Sequence, residues 1–104
     1  MSKDQPLSGH VALVTGSSKG LGAGIARCLG AAGAKVVINA YNNITLGQEV
    51  ADEIISAGGE AIAIRADVSK ESDIKNLLEQ AGNELGPVDI IVPNATPDQP
   101  QKPI

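Results

Sequence analysis

Four short apolar runs alternate along the chain with three longer segments in which apolar residues recur every three or four positions. Val11 to Val14 is the first run. It shows no polar alternation, the pattern of a strand covered on both faces of a parallel sheet. Leu21, Ile25, Cys28, Leu29 and Ala32 then share one helix face, which makes Cys28 a small buried thiol, and Gly33 follows as a C-terminal stop. Lys35 to Ala40 is a second strand around Val36, Val37 and Ile38. Thr45 and Gln48 have capping-box spacing, and Leu46, Val50 and Ile54 continue a second helix to Gly58-Gly59. Glu60 to Arg65 is a third strand. Ser69 stands where it can cap a third helix with a stripe of Ile74, Leu77, Leu78, Ala81 and Leu85, which Gly86-Pro87 ends. Val88 to Val92 is the fourth strand.

Strands separated by helices imply parallel pairing through right-handed crossovers. The expected fold is α/β: a truncated, Rossmann-type doubly wound parallel sheet of order 3-2-1-4 with three helices. Two helices fall on one sheet face and one on the other. With that second face thinly covered and the fourth strand an open edge, self-association of the chain is expected.

Composition narrows the function. The 104 residues suit one domain, and with Tyr41 the sole aromatic the 42% of apolar residues must build a core of Ala, Val, Ile and Leu. Twelve acidic against eight basic residues, net −4, argue against a nucleic-acid surface. A single cysteine excludes an internal disulfide. Met1 to Gly9 has no apolar leader core, and no apolar run approaches the ~20 residues of a membrane span, so a cytoplasmic protein without membrane contact is expected. His10 reads as a plain loop residue with no ligand at metal spacing, and no metal site is expected.

The strongest chemical signal is Thr15-Gly16-Ser17-Ser18-Lys19-Gly20-Leu21-Gly22, which follows a strand and opens a helix. Glycines let the main chain turn with positive φ and approach a ligand closely. The helix end beyond them offers unpaired amides and partial positive charge, a site for pyrophosphate. No Lys follows Gly20 or Gly22, so the triphosphate loop G-x-x-x-x-G-K-[ST] is not matched. Ile25 stands where a strict G-x-G-x-x-G would carry its last glycine.

The Thr-Gly-x-x-x-Gly-x-Gly spacing, Asp67-Val68 after the third strand and Asn94-Ala95 after the fourth together resemble the short-chain dehydrogenase/reductase family, from about Gly9 to Ala95. Within it, the chain looks most like 3-oxoacyl-carrier-protein reductase-like members. The resemblance implies that Gly16, Gly20 and Gly22 shape the turn under a pyrophosphate. Ser17, Ser18 and the Leu21 amide would contact phosphate or adenosine ribose. Asp67 would accept from the adenine amino group with Val68 against the ring, and Asn94 and Ala95 would line the ribose. Pro93 and Thr96 depart from the family's Asn-Asn-Ala-Gly segment.

Lys19 occupies the basic position that NADP-preferring members use, and Asn39 to Asn43 carries no acid to repel a 2′-phosphate. NADP is therefore expected, with NAD the alternative. The family's catalytic Ser and Tyr-x-x-x-Lys would fall after position 104, and Tyr41 is followed four residues on by Thr45, not Lys. Residues 1–95 thus read as a dinucleotide-binding half-domain and 96–104 as a Pro-rich extended tail, with no catalytic residue in either. The implied activity is NAD(P)-dependent reduction of a small carbonyl or 3-oxoacyl substrate, or the reverse oxidation of an alcohol, in a longer parent. A non-catalytic dinucleotide-binding or partner-binding module is the alternative.

Overall fold

The computed structural model describes residues 5–94. Its elements are β1 (Val11–Val14), α1 (Gly20–Ala31), β2 (Lys35–Ala40), α2 (Ile44–Ser56), β3 (Glu60–Arg65), α3 (Glu71–Glu84) and β4 (Ile90–Val92). The sheet order is β3-β2-β1-β4, and every pairing is parallel. The expected α/β topology is therefore present. The expected tail and Ala95 lie outside the described residues.

Strand polarity follows from burial. Ala12, Val14, Val36 and Ile38 meet α1 and α2 on one sheet face. Val11, Leu13, Val37 and Ile64 form the other face with Leu77 and Ala81 of α3. Because β1 and β2 are covered on both sides, apolar residues occupy consecutive positions rather than alternate ones. β4 is shorter than the expected Val88–Val92: β1 begins only at Val11, and Ile90–Val92 pair with Ala12–Val14.

Three helix assignments need correction. The buried face of α1 is Gly22, Ala23, Ala26 and Gly30, while Leu21 is 74% exposed and Cys28 is exposed. Small residues set this face because the helix lies close to its neighbours: a Cβ on Gly30 would stand 2.9 Å from Ile54 Cγ2. Ile25 and Leu29 flank it, half-buried. Asn43, not Thr45, caps α2, its side-chain oxygen accepting from the Leu46 amide at 3.3 Å. Ser69 does not cap α3 either. That helix starts after Lys70 without a side-chain cap, with Glu71 and Asp73 in its positively polarised first turn.

His10 is also more than a loop residue. Its Nδ1 lies 2.6 Å from Asp89 Oδ2, while Asp89 Oδ1 accepts from the Val11 amide at 2.8 Å. The Asp89 amide in turn donates to the Val11 carbonyl at 3.0 Å. This clamp closes the β1–β4 edge just before the ladder begins and fixes its register. The Val11 amide first, and His10 second, hold the Asp89 carboxyl below its ordinary pKa.

The folded carboxylate is therefore harder to protonate than the unfolded one. The clamp stabilises the fold above the ordinary aspartate pKa and is lost as pH falls through the lowered value. Asp89→Asn should lower the melting temperature at neutral pH and flatten the loss of stability seen below about pH 4 in thermal melts across pH. An unchanged acid limb would show that the clamp does not hold this edge.

Candidate functional site

The C-terminal end of the sheet carries the site, where β1 runs into the glycine turn. Gly16 and Gly20 both have φ of +62°, a conformation that side chains strain. Lys19 between them is extended and opens α1 without a side-chain cap or an acidic residue in the first turn. The first-turn amides of a helix lack partners from the preceding turn, and here no side chain neutralises the positive helix end. An anion is the group that suits it.

A buried polar knot holds the turn. Ser17, fully buried, donates its hydroxyl to the Val14 carbonyl at 2.6 Å and accepts from the Asn39 amide at 2.9 Å. Its own amide donates to the Asn39 carbonyl at 2.9 Å. Asn39 is 2% exposed, and its side-chain oxygen accepts from the Gly16 amide at 3.0 Å. Its side-chain amide reaches the Ala66 carbonyl at 3.2 Å. One asparagine on β2 thus ties the glycine turn to the end of β3. Two residues past β4, Asn94 donates through Nδ2 to the Gly16 carbonyl at 3.1 Å and through its amide to Thr15 Oγ1 at 2.9 Å.

Gly22 is required where these parts meet. A Cβ there would fall onto the Gly16 carbonyl oxygen and lie 2.6 Å from Asn94 Nδ2.

Above the turn lies a cleft of about 480 Å³, lined by Gly16, Ser18, Lys19, Gly20, Ala40, Tyr41, Asn42, Asn43 and Asn94. Five of the residues expected from the motif (Gly16, Ser18, Lys19, Gly20 and Asn94) therefore share one wall. Ser17 does not face it, because its hydroxyl and amide are both used inward, so direct phosphate contact by that side chain does not match the geometry. Leu21 and Gly22 lie in the first turn of α1 below the cleft. Asp67 and Val68, both half-buried, stand beyond β3 outside the cleft lining. Asp67 Oδ1 accepts from the Ser69 hydroxyl at 2.6 Å and from its amide at 3.0 Å. Those bonds, the hydroxyl first, draw its pKa down and keep it charged. The Asp67 amide donates to Asp73 Oδ2 at 2.8 Å, which anchors this loop to α3.

Asn39 was not singled out by motif spacing, although a polar residue inside an apolar strand is a signal for a buried partner. The residues present fit a dinucleotide: a positive-φ glycine turn, an open helix end, and above them a cleft whose lining holds a cation and no carboxylate. Among the described residues there is no cluster of three metal-ligating side chains, and no helix is long and apolar enough to cross a membrane.

A family model described as short chain dehydrogenase matches residues 10–104. A versicolorin reductase of Emericella nidulans is 46% identical over 94 residues, covering 90% of this chain and 36% of that protein. A hydroxysteroid dehydrogenase from Escherichia coli superposes with a TM-score of 0.83 at 39% identity, over 91% of this chain and 40% of its own. A metagenomic short-chain oxidoreductase in complex with NADP gives a TM-score of 0.78 at 43% identity, over 86% and 39%. The chain spans about a third of the length of the curated relatives it matches.

Replacing Asn39 by Ala strands the buried Ala66 carbonyl and takes its partner from the half-buried Gly16 amide. A loss of about 1–3 kcal/mol is expected for such a group, read as a lower midpoint in urea unfolding. A midpoint unchanged from the parent would remove the knot from the account.

Proposed function

The chain belongs to the short-chain dehydrogenase family of oxidoreductases, and from that membership we propose that residues 5–94 form the adenosine-and-pyrophosphate half of an NADP site in a carbonyl or 3-oxoacyl reductase. The carrying observation is the cleft over the glycine turn, whose lining includes Lys19 and no carboxylate. Ser18 and the Leu21 amide would take the pyrophosphate at the open end of α1, over the turn that Gly16 and Gly20 shape. Gly22 would let the helix close on the turn, while Ser17 holds the turn from below. Lys19 would face the 2′-phosphate. Asp67 and Val68 would border the adenine from the β3 side, and Asn94, followed by Ala95, would border the ribose.

When bound, the nicotinamide supplies hydride transfer. The residues of this chain bind and orient the coenzyme's other half, so the substrate and the acid–base residues belong to a longer parent on this reading. Bound NADP in a structural neighbour supports the coenzyme class. The Lys19 position and the acid-free end of β2 support the choice between NADP and NAD. Binding without hydride transfer by a longer parent would favour the non-catalytic module instead.

Calorimetric titration of the 104-residue chain with NADP⁺ and NAD⁺ tests the reading. NADP⁺ should bind more tightly. Lys19→Glu should weaken NADP⁺ by about tenfold or more, from loss of one charge-assisted contact and gain of a repulsion, with NAD⁺ little changed. Tighter NAD⁺ than NADP⁺ in the unsubstituted 104-residue chain overturns the coenzyme choice, and binding of neither overturns the site.

A further inference from the structure

Arg65 closes β3, and the parallel register sets it beside Ala40 at the end of β2. From there its Nε–H donates to the Tyr41 carbonyl at 3.0 Å. Its Cζ also stands 5.2 Å from the centroid of the Tyr41 ring. One side chain thus grips both the main chain and the ring of the first residue in the turn that walls the cleft. Tyr41, Asn42 and Asn43 are all exposed, so little else in that turn is held by burial.

We propose that Arg65 is a specificity-determining residue for the 2′-phosphate of a dinucleotide, acting through Tyr41 as a positioning residue. The inference rests on the dinucleotide reading above and adds a second cation to it. The guanidinium brings a planar, positively charged group to this turn. Among the described residues neither Arg65 nor Lys19 takes part in an ion pair. Lys19 lines the cleft together with Tyr41, Asn42 and Asn43, and Arg65 holds Tyr41 from β3. A dianion in the cleft would meet one cation directly and a second behind the aromatic wall. The stack matters because arginine keeps its planar face on a ring while its edge donates, a geometry that lysine does not reproduce.

A purely structural role for Arg65 would weaken every dinucleotide alike, whereas a role in specificity changes their ratio. NADP⁺ and NAD⁺ dissociation constants of the 104-residue chain are compared with those of Arg65→Ala and Arg65→Lys, with melting temperatures taken alongside. Arg65→Ala should weaken NADP⁺ by about tenfold and NAD⁺ by less than about twofold, as expected for loss of one partly screened charge near a dianion. Arg65→Lys should recover part of the difference, because charge remains while the stack and the Nε–H bond are lost. Equal weakening of both dinucleotides, or an unchanged ratio, overturns the assignment while leaving the dinucleotide site intact. An unsubstituted 104-residue chain that binds neither dinucleotide overturns the site itself and Arg65's role with it.

Discussion

Everything at the C-terminal edge of this sheet depends on satisfying one buried amide side chain. Asn39 sits in the interior of an apolar strand, where an unpaired polar group is destabilising by an amount comparable to a lost hydrogen bond. Its side-chain oxygen is answered by Gly16, its main-chain groups by Ser17, and its side-chain nitrogen by Ala66. The glycine turn can occupy a strained, positive-φ path because these bonds over-determine it. The same residue reaches the start of the Asp67 loop, so the two stretches expected to embrace the adenosine half are set by a single side chain. Rigidity of the cleft floor is thus a property of β2 as much as of the glycines.

A second constraint is closeness. α1 must lie near the sheet for its N-terminus to reach the turn, and small residues make that approach possible. Gly22 leaves room for the Gly16 carbonyl and the Asn94 amide, and Gly30 leaves room for Ile54 of α2. The face with the smallest residues is therefore the buried one. Larger apolar residues at Ile25 and Leu29 fill the flanks, and Leu21 points to solvent.

That inversion explains what the sequence revealed and what it concealed. Strand positions and sheet order were legible, since doubly covered strands carry unbroken runs such as Val11–Val14 and Val36–Ile38. The glycine turn was legible because its spacing has a backbone reason. The α1 face is hidden in the sequence because apolar size does not mark burial there: helix–sheet distance selects Gly and Ala. Thr45 and Ser69 do not cap because several polar residues compete at each helix start: Asn43 lies nearer the first free amides of α2, and Ser69 is drawn to Asp67. His10 and Asp89 are 79 positions apart, so their pairing belongs to the folded sheet and not to any local pattern. Ser17 matched the expected motif, yet tertiary contacts turned it inward.

The misplaced thiol has a practical side. Cys28 is the sole cysteine and lies on the outer surface of α1. Eight residues separate it from Gly20, about 12 Å along the helix axis. A maleimide dye or nitroxide attached there would label the molecule at one defined point, close enough to the glycine turn to register a change in its electric field and far enough away to leave the cleft unobstructed. The protein carries its own attachment point for a spectroscopic reporter, with no substitution needed to install one.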